Sequence, residues 1–181
     1  MFKMIPISVL VGINILAIAA KPTQETPFDT LVNRLTKNFY GMHCMSEVII
    51  EVDAAAGDFA YDLELCEDPY TVDDYKDILD TKDTINRITD RLLTVNELDC
   101  DNHQYLPDWN GSTIPTPECL KKFKKHLSKM DYVVSETITE IETAAENNIC
   151  ALMAMGKYIV KLNNFTTYLQ VCGELAEIFG K

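Results

Sequence analysis

Apolar residues return every three or four positions in four long stretches of the chain, the period of a helix that buries one face. The first stretch is Phe28, Leu31, Leu35, Phe39, Met42, Ile49, Val52, Ala56, Phe59 and Leu63, and it predicts a helix over 27–66. Thr26-Pro27-Phe28-Asp29 opens it with a capping threonine, a proline at the first helical position and an acid in the first turn. Pro69 stops it, and Gly41 and Gly57 are where it would loosen. A second helix, 72–100, begins at another threonine, Thr71, with Asp74 three residues on, and its stripe is Ile78, Ile85, Ile88, Leu92 and Val95.

The third helix, 117–146, repeats the opening with Thr116-Pro117-Glu118 and carries Leu120, Phe123, Leu127, Met130, Val134, Ile138, Ile141 and Ala145. Glu146-Asn147-Asn148 is a weak break, either a turn or a kink. The fourth helix, 149–179, reads Ile149, Leu152, Gly156, Ile159, Thr166, Leu169, Cys172, Ala176 and Phe179. One long loop, 101–116, separates the second and third helices and holds His103, Pro107, Asn110-Gly111 and Pro115. Sustained strand alternation occurs nowhere.

Four amphipathic helices of about thirty residues with mostly short links predict an all-α fold, an elongated up-down-up-down four-helix bundle. The cysteines bear on this. Cys44 and Cys66 are 22 residues apart, and so are Cys150 and Cys172. Twenty-two helical steps return to within about 40° of the start, so each pair shares a helix face. Two such helices make a ladder. Antiparallel helices would join Cys44 to Cys172 and Cys66 to Cys150; parallel helices would join Cys44 to Cys150 and Cys66 to Cys172. A coincidence of spacing is the remaining alternative. The bundle topology favours the antiparallel ladder and leaves Cys100 to join Cys119 across the long loop.

Residues 1–20 change the setting of this fold. Lys3 precedes an apolar run from Ile5 to Ala20, and Ala17-Ile18-Ala19 has the small-x-small form of a cleavage site. The alternative is an uncleaved anchor, but the run is shorter than the roughly 20 residues a span needs and contains Pro6 and Asn14. The expectation is a signal peptide over 1–20, a single helical domain over 21–181, a secreted extracellular product and no stable membrane insertion after cleavage. An even count of six cysteines fits that oxidising destination and implies three disulfides.

Composition narrows the partners. Hydrophobic residues make up 47% and charged residues 24%, an ordinary globular balance. Twenty-eight acids against 16 basic residues give a net charge of -12, which argues against nucleic acid.

Candidate chemistry is sparse. The chain has no nucleophile elbow, zinc-protease helix, phosphate loop or dinucleotide fingerprint. Its histidines, His43, His103 and His126, are scattered, and paired thiols remove cysteine nucleophiles. The expectation is a non-enzyme with no cofactor. Asp73, Asp77 and Asp80 share a helix face, yet lack a calcium loop and read as a solvated surface.

Lys121, Lys122, Lys124, Lys125 and Lys129 form one basic patch, suited to an acidic partner or a sulfated glycan. The plainer reading pairs them with Asp99, Asp101, Glu174 or Glu177. Asn110-Gly-Ser and Asn164-Phe-Thr are glycosylation acceptors, and Trp109 beside the first covers the bundle end or anchors a partner. Met42, Met45, Met130, Met153, Met155, Phe39, Phe59, Phe165, Tyr158 and Tyr168 are core residues or the lining of an apolar cavity. The leading function is therefore binding of an extracellular protein or glycan. The alternative is carriage of a small hydrophobic ligand, and a hydrolase without a recognisable motif comes third.

Overall fold

The structure is a computed structural model and describes residues 26–66, 75–102, 114–144 and 148–179. Signal peptide 1–20, the Thr71 cap, Asp73, Ala145 and the loop residues His103, Trp109 and Asn110 lie outside the described residues. The elements are α1 (Pro27–Leu35), α2 (Phe39–Glu64), α3 (Lys76–Thr94) with a π-helical turn Val95–Asp99, α4 (Pro117–Thr143) and α5 (Ile149–Phe179). No strand occurs among the described residues.

Local chemistry sets the helix starts. Thr26 accepts from the Asp29 backbone N–H, and the Asp29 carboxylate accepts from the Thr26 backbone N–H, a complete capping box in front of Pro27. Thr116 accepts from the Cys119 N–H at 3.3 Å ahead of Pro117. Asn148 caps α5, its side-chain oxygen accepting from Cys150 and Ala151.

All three cysteine pairs form as the antiparallel ladder requires: Cys44–Cys172, Cys66–Cys150 and Cys100–Cys119, with Cα separations of 5.5, 5.6 and 5.0 Å. The first two make α2 and α5 antiparallel and pack them along their length. Asn86 on α3 donates to Asp53 on α2, while Asn102 beyond α3 donates to the Phe39 carbonyl at the start of α2, so these two also run oppositely. Cys100–Cys119 and the Lys122–Asp99 ion pair at 2.7 Å tie the end of α3 to the start of α4. One contiguous apolar cluster joins the helices, with Leu35, Met42, Met45, Ile49, Ile85, Leu92, Phe123, Leu127, Met130 and Phe165 fully enclosed.

Three expectations are corrected. The first helix, expected over 27–66, is broken at Thr36–Asn38. There Thr36 returns its hydroxyl to the Val32 carbonyl, and Asn38 adopts an extended backbone. The buried Asn38 side chain accepts from the Gly41 N–H at 3.0 Å and donates to the Ala176 carbonyl at 2.8 Å. A Cβ on Gly41 would lie 2.1 Å from the Leu35 carbonyl oxygen, so only glycine lets α2 start this close to the end of α1. Gly57, by contrast, sits inside an unbroken helix.

The third helix stops at Thr143, three residues early, because Ala144 turns extended. The face that the fourth helix buries coincides with the expected stripe only at Leu169, Cys172 and Ala176, with Leu152 and Ile159 of that stripe half-buried against the core. Ala151, Ala154, Met155, Tyr158, Leu162, Phe165, Leu169, Cys172, Gly173 and Ala176 point inward. Ile149, Gly156, Thr166 and Phe179 of the expected stripe are exposed.

Candidate anion-binding groove between α3 and α4

The apolar stripe of α3 turns Ile78, Ile85, Ile88 and Leu92 toward the core, which leaves Arg87 and Arg91 on the outer flank one turn apart. On α4 the same logic buries Phe123, Leu127 and Met130 and leaves Lys125 and Lys129 outside, again one turn apart. The antiparallel pairing brings Arg87, Arg91, Lys129 and His126 to the walls of one surface groove of about 700 Å³, with Ile88, Val133 and Tyr132 also in the lining.

Asp90 is the single carboxylate in that lining. A chain with a net charge of -12 thus presents a locally positive trough.

His126 reports the local field. Its pKa is lowered, first by burial and then by repulsion from Lys129, Lys125 and Arg91, so the imidazole is neutral at neutral pH. Arg87 is laid along its own helix, Nε donating to the Asp83 carbonyl and a terminal nitrogen to Thr84 Oγ1. Arg91, Lys125 and Lys129 form no ion pair with any described residue. Tyr132 leans its hydroxyl onto Glu136 at 3.2 Å, which raises the phenol pKa. Like cations that outnumber the one Asp90 carboxylate among them cost electrostatic free energy, and a bound polyanion would release it.

The basic patch read from the sequence is thereby split. Lys122 does pair with Asp99, and Lys124 donates to Asn33 of α1. Glu177 pairs instead with Arg34 and Lys37. Lys129 lines the groove with Arg87 and Arg91 of α3, and Lys125 lies exposed one turn before it on α4.

Those two arginines were not singled out by sequence reading. Their signal was an i, i+4 basic pair on the helix preceding a second such pair. The other candidates stay apart from this groove. His43 is half-buried on α2. Asp77 and Asp80 are exposed on α3, and no cluster of metal-ligating side chains occurs among the described residues. Asn164 is half-buried on α5, with Phe165 in the core beside it.

Most of the methionines and aromatics expected in the core or around a cavity are core, including Tyr158, which stacks on Phe59 at 4.7 Å and whose phenol pKa burial drives far upward. Met153 and Tyr168 are corrections, since both face outward. No helix among the described residues is long and apolar enough to cross a membrane. Compared with known proteins, the chain matches no family, no curated protein and no solved structure.

Proposed function

We propose that this is a secreted, non-enzymatic binding protein that holds a sulfated glycan along the α3–α4 groove. The observation that carries the reading is that Arg87, Arg91 and Lys129 line one groove beside a neutral imidazole, with Lys125 next to that imidazole in sequence, and that none of the four cations forms an ion pair with a described residue. Along each helix the cations are spaced by about 6 Å. Such a linear array suits a chain of repeated anionic groups better than a single ion. Arginine adds forked donors for sulfate oxygens, and Tyr132 with the apolar floor offers a surface for sugar rings. The apolar leader and three disulfides support an extracellular setting.

Chromatography on immobilised sulfated glycan, with the desulfated polymer as control, tests it. The mature protein is expected to be retained at about 0.15 M salt and to elute as salt rises. The Arg91→Glu/Lys129→Glu variant is expected to pass through. Passage of the wild type, or equal retention of the variant, defeats the reading, and so does selective capture of an acidic protein in place of the glycan.

A further inference from the structure

The apolar residues of α5 are spread around the helix, so that a line of them faces outward between polar flanks that carry Lys157 and Lys161 on one side and Gln170 and Glu174 on the other. Ile149 is 76% exposed, Met153 64%, Val160 57%, Val171 49% and Ile178 63%. With Gly156, Asn164, Thr167 and Leu175 these residues occupy 149, 153, 156, 160, 164, 167, 171, 175 and 178, three repeats of eleven residues on one line. An eleven-residue repeat keeps a nearly straight seam on a helix. A continuous apolar line of this length on a surface marks a contact site.

The geometry points to a second copy of this chain as the cover, packed antiparallel through α5 across a two-fold axis. The line is close to a palindrome about Asn164. Reversing it sets Ile149 against Ile178, Met153 against Leu175, Gly156 against Val171 and Val160 against Thr167, with the two Asn164 side chains meeting at the centre. Apolar pairs flank the polar centre on both sides, Val171 facing the missing side chain of Gly156, and a buried asparagine pair fixes register, as in coiled coils.

Charge supports the same occupant. Lys157 pairs with Asp62 at 2.8 Å, and Lys161 shares that flank, which faces α2. Counting from the two disulfides levels Glu47 with Leu169 and Glu51 with Phe165. Both acids lie on the α2 flank beside Tyr168 and Val171, and neither forms an ion pair with a described residue.

A two-fold axis across the seam keeps that flank on the same side in both copies. The antiparallel register then brings Lys161 opposite Thr167, at the height between the partner's Glu47 and the partner's Glu51. The seam is about 44 Å long, and at about 10 Å width it buries roughly 900 Å² over both copies before the α2 flank is added. That total lies near the lower limit for a specific interface, so the dimer is concentration-dependent.

The seam also bears on Asn164, which cannot carry a glycan and lie on the two-fold axis at once. The test uses the mature protein secreted from a eukaryotic host. Sedimentation over the micromolar range is expected to show a monomer–dimer equilibrium, and mass spectrometry an unmodified Asn164. Val171→Glu is expected to weaken the dimer about 100-fold, by burying an unpaired charge, while disulfide mapping and thermal unfolding confirm the fold. Lys161→Glu is expected to weaken it several-fold, and adding Glu47→Lys and Glu51→Lys to restore it.

Four outcomes overturn the proposal: a monomer at every concentration, a dimer indifferent to Val171→Glu, no rescue by the charge swap, or a glycan on Asn164. Binding of the monomer to phosphatidylcholine vesicles, lost in Val171→Glu, would overturn it in favour of a lipid surface.

Discussion

At the scale of single residues, Gly41 stands where a side chain would meet backbone. Its missing Cβ leaves room for the Leu35 carbonyl oxygen and for Ala176 on α5. Gly41→Ala should therefore cost about 2–3 kcal/mol in urea unfolding, the range for forcing atoms into a filled site. Gly57→Ala, where a Cβ meets nothing within 4 Å, should instead gain about 0.5–1 kcal/mol from helix propensity.

His126 supplies a second residue-scale prediction. Burial and three nearby cations hold its folded pKa below the unfolded value of about 6.5. Stability from this group is complete above that pH and is lost as pH falls toward the folded pKa. Thermal unfolding should show a drop in Tm between pH 7 and 5.5 that His126→Gln reduces. Asp53, Asp131 and Glu140, whose pKa values burial raises, act oppositely but nearer their own range of about pH 4. A bound polyanion supplies counter-charge to the imidazole, so glycan retention should strengthen as pH falls.

Capping was legible at this scale because it is local. Thr26, Pro27, Thr116 and Pro117 act as read. The break at Asn38 was not, since its second partner is a carbonyl 138 residues away.

Among elements, periodicity located each helix but could orient only those with a polar side. The stripes of α2, α3 and α4 were readable because acids and lysines fill their outer faces. Apolar residues spread around α5 offered several near-equivalent stripes, and the one read meets the buried face only at Leu169, Cys172 and Ala176. Cysteine spacing set the facing where hydropathy was ambiguous, since Cys172 had to face Cys44 whatever surrounded it. The groove was half legible: the lysines stood out as a cluster, but their arginine partners lay across a loop in sequence and needed the α3–α4 pairing to bring them near.

The Cys100–Cys119 bond closes that pairing over a separation of 19 residues. Replacing both by serine should cost about 3 kcal/mol, read as a Tm lower by roughly 10 °C. On the proposed glycan reading the same variant should also be retained less by sulfated glycan, because the start of α4 is then secured to α3 by packing and the exposed Lys122–Asp99 pair.

For the whole molecule, the disulfides divide the covalent frame unevenly. Two bonds join α2 to α5, and none joins α3 or α4 to either of them. The α3–α4 hairpin is held against α2 by packing and by the Asn86–Asp53 and Asn102–Phe39 hydrogen bonds. Native-state hydrogen exchange should therefore find the hairpin opening at lower free energy than the α2–α5 pair, with amides of Ile85 and Phe123 exchanging before those of Ile49 and Leu169. Equal protection of both pairs would show that packing alone makes the molecule a single cooperative unit.

The Cys44–Cys172 bond also spans 128 residues, most of the folded chain. One peptide-bond break anywhere inside that span still leaves both pieces fastened together. Such a nicked form should migrate as an intact molecule until reductant is added, and retain its working shape wherever the cut falls between helices.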